Sequence, residues 1–76
     1  MRKVLIAFEP VELYKILKFE ALVTSGGEAK AVIENGLVKV NSAVETRKRK
    51  KIVAGDIIEF GSETLEIVLS DKSANA

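Results

Sequence analysis

Five consecutive cations, Arg47-Lys48-Arg49-Lys50-Lys51, are the most conspicuous chemistry in this chain. Adjacent like charges repel one another, and a folding core gains nothing from them. Phosphate is the partner class that suits such a run. Each neutralised phosphate releases a condensed counterion, which gives affinity that ignores sequence and weakens with salt. Arginine grips phosphate oxygens in a two-pronged way, and lysine acts as a point charge. Taken alone, the run also reads as a solvated loop that aids solubility, and such tracts serve elsewhere as localisation signals or heparin patches.

A second candidate is Ser25-Gly26-Gly27-Glu28. Serine followed three residues later by glutamate is a capping box, which marks a helix start. The two glycines would leave backbone N–H groups open at the positive end of a helix dipole, where a phosphate could approach. Glu28 already places a negative charge there, so a permissive turn plus a cap is the simpler reading of this stretch alone. Lys30 lies off the apolar stripe, close to the same helix end.

Catalytic constellations are missing. The chain has no histidine and no cysteine, which removes the commonest general base, the commonest metal ligand, thiolate zinc sites and disulfides. Its serines therefore lack an activating base, and no Walker or G-x-G-x-x-G fingerprint occurs. We expect no cofactor, no metal and no enzymatic activity. The only aromatics are Phe8, Tyr14, Phe19 and Phe60, which read as core residues rather than a base-stacking platform.

The overall charge is +1, which hides a polarised distribution. Residues 1–46 carry six basic and six acidic side chains, whereas residues 52–76 hold Asp56, Glu59, Glu63, Glu66 and Asp71 against Lys72. The basic run thus sits between a neutral half and an acidic end. The longest apolar stretch, Val4 to Phe8, is far short of the roughly 20 residues that span a bilayer. It is also too short for the apolar part of a signal peptide. The expectation is a cytoplasmic protein without membrane contact.

The chain of 76 residues suits one domain. Residues 1–70 would form it, with 71–76 as a flexible tail. Lys3 to Phe8 reads as a strand with Val4, Ile6 and Phe8 on one face. Pro10 suits a first helical turn, and Leu13, Ile16 and Leu17 give an apolar stripe to a helix over Val11–Phe19. A second helix starts at the Ser25 cap, buries Ala29, Val32 and Ile33, and stops at Asn35-Gly36. Beyond Gly36 the period becomes two. Val38 and Val40 point one way and Lys39 the other, followed by a tight turn at Asn41-Ser42 and a return at Val44. The basic run is then a loop, and Ile57–Phe60 and Thr64–Leu69 form two more strands around Gly61-Ser62. The order β-α-α-β-β-β-β places two adjacent helices on a small antiparallel sheet, an α+β architecture.

The ordered series is more specific than its parts. Leu13-x-x-x-Leu17, Ser25-x-x-x-Ala29-Lys30, Gly36-x-Val38-x-Val40-Asn41 and Gly55-Asp56-x-Ile58 follow one another over about 45 residues. This series resembles the RNA-binding domain first recognised in ribosomal protein S-four, the alpha-L motif. It is most similar to small stand-alone bacterial members of the YbcJ/YaaA type. The resemblance implies one surface, built from two helices and a loop, that grips structured and usually ribosomal RNA. On this chain it would comprise Lys15 and Lys18, Gly26, Gly27 and Lys30, Arg47, Lys48, Arg49, Lys50 and Lys51, with Lys39 at its margin. The expected partner is RNA, with the ribosome as its setting and the protein a monomer. Glu12, Gly26 and Ser42 stand where the wider family has arginine, arginine and glycine, which shifts the burden of contact onto the loop. The competing reading is a protein-interaction adaptor whose basic loop meets an acidic partner. Duplex DNA is disfavoured, because the second helix offers few long polar side chains beyond Lys30 and Glu34.

Overall fold

Alternating burial of Val4 and Ile6 makes Arg2–Ile6 the first strand, β1. In the computed structural model, which describes residues 1–70, the chain continues with β2 (Val11–Glu12), α1 (Leu13–Phe19), α2 (Gly26–Glu34), β3 (Val38–Val40), β4 (Ala43–Val44), β5 (Lys51–Ile52), β6 (Ile57–Phe60) and β7 (Glu63–Leu69). The main sheet runs β1-β7-β6-β3-β4, and β2 pairs with β5 in a separate two-stranded ribbon. The expected α+β architecture is present. The sheet is mixed rather than wholly antiparallel, because β1 lies parallel to β7. A parallel pair needs a long crossover, and here nearly the whole chain supplies it.

The two helices and one face of the sheet enclose a single apolar core. Leu13, Ile16 and Leu17 from α1 meet Ala29 and Ile33 from α2, with Val38, Val40, Ile58, Leu65 and Ile67 from the sheet. Among the described residues no polar or charged residue is buried, so the core contains no desolvated charge.

Local chemistry sets the boundaries of α2. Its cap, Ser25 Oγ, accepts from the Glu28 N–H at 3.1 Å. The Glu28 carboxylate reaches back to the N–H and the hydroxyl of Thr24, at 2.7 Å each. At the other end Gly36 adopts φ 77°. Its N–H donates to the Ile33 carbonyl, and Leu37 donates to Val32. That pair of bonds is the Schellman closure, in which glycine takes the left-handed position at least cost. Asn41 and Ser42 have φ 52° and 70° and close the β3–β4 hairpin, the double positive-φ turn that matches sheet twist. Asn41 also accepts from the Ile57 N–H and donates to Asp56, whose other oxygen accepts from the Val53 N–H. Asn41 and Gly55-Asp56 therefore tie two turns together, a structural role.

Two expectations at the N-terminal end differ from the structure. The strand stops at Ile6, and Phe8 is 69% exposed instead of sharing the inner face. The helix starts at Leu13, because Val11 and Glu12 pair with Ile52 and Lys51. Tertiary pairing with β5 outweighs the helical signal of Pro10, and adds the two short strands that the expected order lacked. The expected tail, residues 71–76, lies outside the described residues.

Candidate nucleic-acid interface

The basic run is fixed at both ends and in its middle. Before it, the Glu45 N–H donates to the Val38 carbonyl; at its end, Lys51 pairs with β2, as does Ile52 just beyond. Within it, the Lys50 N–H turns back to the Arg47 carbonyl at 3.1 Å. The decisive contacts are with α1. Its first N–H groups have no partners inside the helix, and they donate to the loop instead: Leu13 to the Lys50 carbonyl at 2.9 Å, Tyr14 to the Lys48 carbonyl at 3.1 Å. The cationic loop thus serves as the backbone cap of α1. Its carbonyls face the helix, and its side chains are left for solvent.

That docking brings most of the expected residues together. Lys48 Nζ lies 3.1 Å from the carboxylate of Glu34, the last residue of α2. Tyr14, half-buried against the core, has Lys30 Nζ 4.8 Å and Lys15 Nζ 6.0 Å from its ring centroid. Lys30 is accordingly not free in solvent but laid over an aromatic face, a favourable cation–π placement. Lys18 is exposed one turn beyond Lys15 on α1. The loop, the exposed side of α1 and the second half of α2 therefore share one surface. Tyr14 is the member that sequence reasoning missed. The available signal was an aromatic off the apolar stripe and next to Lys15.

Gly26 and Gly27 open the other end of α2, about 12 Å along its axis from Glu34. A side chain at Gly26 would meet nothing within 4 Å, and one at Gly27 only Ser25 Oγ at 3.8 Å. The opening is free of obstruction, but the Glu28 carboxylate is already placed at it. Lys39 is set apart. It points away from the helices, opposite to Val38 and Val40, and sits across from Glu59 and Val44.

Charge on this surface is unevenly committed. Arg47 donates to Glu45 through Nε at 2.9 Å and Nη2 at 3.1 Å, and its own N–H adds a third bond at 3.0 Å. Lys15 pairs with Glu12 at 3.4 Å. Lys18, Lys30, Arg49, Lys50 and Lys51 have no ion-pair partner among the described residues. Arg47, Arg49, Lys50 and Lys51 line a shallow cleft of about 380 Å³. Among the described residues no acidic one lines it. Among the described residues no group of three or more potential ligands is placed to hold a metal ion. No described helix is long and apolar enough to cross a membrane.

The bonds from Arg47 hold the Glu45 carboxyl below its ordinary value of 4.5, and the same pair raises the Arg47 guanidinium. Bonds from the backbone and hydroxyl of Thr24 lower Glu28 likewise. A carboxyl with a depressed folded-state value contributes stability that is present above its unfolded value and lost as pH falls through the folded one. These two contacts should therefore hold at neutral pH and fail only below about pH 4.5. In a side-chain NMR titration, Glu45 should have its midpoint below 4.5 and move back toward it in Arg47→Ala. An unmoved midpoint would show that the pair is not formed in solution.

A family model described as the S4 domain matches residues 4–68 of this chain. The chain belongs to the S4 domain family. Among relatives of this S4 domain, "Putative RNA-binding protein YbcJ" of Escherichia coli strain K12 is 50% identical over 58 residues, which cover 76% of this chain and 83% of that protein. A YbcJ protein of Shigella flexneri, described as uncharacterized, matches with the same identity and coverage. The solution structure of E. coli YbcJ superposes with a TM-score of 0.69 at 43% identity, covering 90% of this chain and 87% of that one. That structure is described as revealing an alfaL motif involved in RNA binding. The S4 domain of this chain carries its five-cation run on the same α+β scaffold.

Proposed function

We propose that this protein is a non-catalytic RNA-binding module that grips structured RNA, ribosomal RNA above all, through the docked basic loop and the adjoining faces of α1 and α2. One observation carries the reading: the loop's carbonyls cap α1 through the N–H groups of Leu13 and Tyr14, which fixes the backbone of the cationic run next to the residue whose ring Lys15 and Lys30 approach. A cationic run held in this way loses little further backbone freedom on meeting a phosphate backbone, and the ordering cost falls on its side chains. The name given to the E. coli relative and the described role of the alfaL motif support RNA as the ligand. The mechanism is electrostatic and positional. Arg49, Lys50 and Lys51 neutralise successive phosphates, Lys18 and Lys30 extend the contact across the helices, and sequence is left largely unread.

A salt titration tests this. If about five phosphates are contacted, log K for a structured RNA should fall with log salt at a slope of roughly −3.5 to −4.5. Binding that ignores salt would refute the electrostatic mechanism. Co-sedimentation with ribosomes by a protein that cannot bind RNA when purified would favour the adaptor reading instead.

A further inference from the structure

The two phenylalanines that the inner core does not take up flank one concavity. Phe8 and Phe19 are 69% and 68% exposed, and both line a groove of about 480 Å³ between the end of β1 and the outer side of α1. That volume is within the range of about 300–1,000 Å³ usual for small-ligand sites. The groove wall also contains Lys15 and Lys51. Lys51 is shared, since it lines the all-basic cleft as well. An apolar, aromatic concavity and a cationic one thus adjoin through a single lysine.

A nucleotide has this same division: a flat π-face joined to an anionic phosphate. Resting on the RNA-binding reading above, we propose that the Phe8/Phe19 groove receives one unpaired nucleobase of the bound RNA, stacked on a phenylalanine ring, while Lys51 holds the phosphate beside it. The preferred ligand is then a helix interrupted by a bulge or ending in an overhang, rather than an unbroken duplex. A base already outside the stack costs least to capture, and aromatic stacking tolerates any base because each has a π-face. The acidic residues at the rim already have partners: Glu12 is paired with Lys15 at 3.4 Å and Glu20 with Arg2 at 3.9 Å, which leaves Lys51 as the wall cation with no ion-pair partner among the described residues.

The test compares a blunt RNA duplex with the same duplex carrying a single 2-aminopurine bulge, using the full chain and a Phe8→Ala/Phe19→Ala variant. Wild-type protein should bind the bulged RNA about 5- to 150-fold more tightly, the range expected for stacking one base. Its 2-aminopurine emission should be quenched on binding. The variant should lose both the preference and the quenching and keep its blunt-duplex affinity within about twofold. Both side chains are largely exposed, and an unshifted urea midpoint will confirm an intact fold. A wild-type ratio near one, or a ratio that survives in the variant, overturns the proposal. So does a variant that no longer self-associates in sedimentation while its RNA preference is unchanged, since the groove would then be a contact between copies. Loss of salt-dependent binding to the blunt duplex would instead strike the basic-surface reading.

Discussion

Replacing Arg47, Arg49 and Lys50 together by alanine should weaken RNA binding about twentyfold near 0.15 M salt, by the same factor for unrelated structured RNAs. Arg47 is held by Glu45, so the variant removes two of the five proposed phosphate contacts, Arg49 and Lys50; at about 0.7–0.9 of salt slope each, the slope should move from roughly −4 to near −2.4. The loss should be uniform, because contacts to phosphate position a protein without reading bases. The fold should survive. The capping bonds to α1 come from main-chain carbonyls at Lys48 and Lys50, which alanine retains. The Arg47–Glu45 pair, with the Arg47 side chain 71% exposed, is worth at most about 1 kcal/mol. Fluorescence anisotropy at several salt concentrations reads both quantities. An unchanged slope would mean that these side chains do not meet phosphate, and the proposed surface would have to be abandoned.

Ile52→Ala should be the most damaging single change near the site. Ile52 is 0% exposed, directly follows the cationic run, and pairs with Val11 across the β2–β5 ribbon. Truncating a fully buried isoleucine costs about 2–5 kcal/mol in lost transfer energy and residual cavity. A domain of this size has only about 4–11 kcal/mol in all. The melting temperature should fall by roughly 10–30 °C. The ribbon is also what holds the loop's exit against α1, so RNA binding should fall further than the unfolded fraction explains. Ile52→Val, costing about 0.5–1.5 kcal/mol, should keep both fold and binding. Thermal melts with binding measured well below the midpoint separate the two effects. If Ile52→Ala binds normally once folded, the loop does not depend on this anchor.

Much of the secondary structure was legible because local rules and tertiary packing agree. The Ser25–Glu28 box, the Gly36 terminator, the Asn41-Ser42 turn and the alternating strand around Lys39 each have a short-range cause and appear as read. The start of α1 was misread because its cause is not local. Pro10 signals a first turn, but the partners of Leu13 and Tyr14 are carbonyls some 35 residues away. The direction of β1 was hidden for the same reason, since among the described residues it pairs with β7, some 60 positions further along. Phe8 and Phe19 looked like core by residue type; they lie outside it because the core is already filled by smaller aliphatic side chains.

By its residues alone the chain specified an α+β domain without histidine or cysteine, carrying a five-cation run that no core could absorb. Composition and short periodicities suffice for that, since burial and charge repulsion act whatever the topology. Only the tertiary structure decided where the run faces. The unpaired N–H groups of α1 required acceptors, and the loop supplied them, which brought Lys30 and Tyr14 beside the cations and left Lys39 on the opposite face of the sheet. Whether five charges make a solvated loop or a binding surface depends on that docking, and no sequence window contains both its halves.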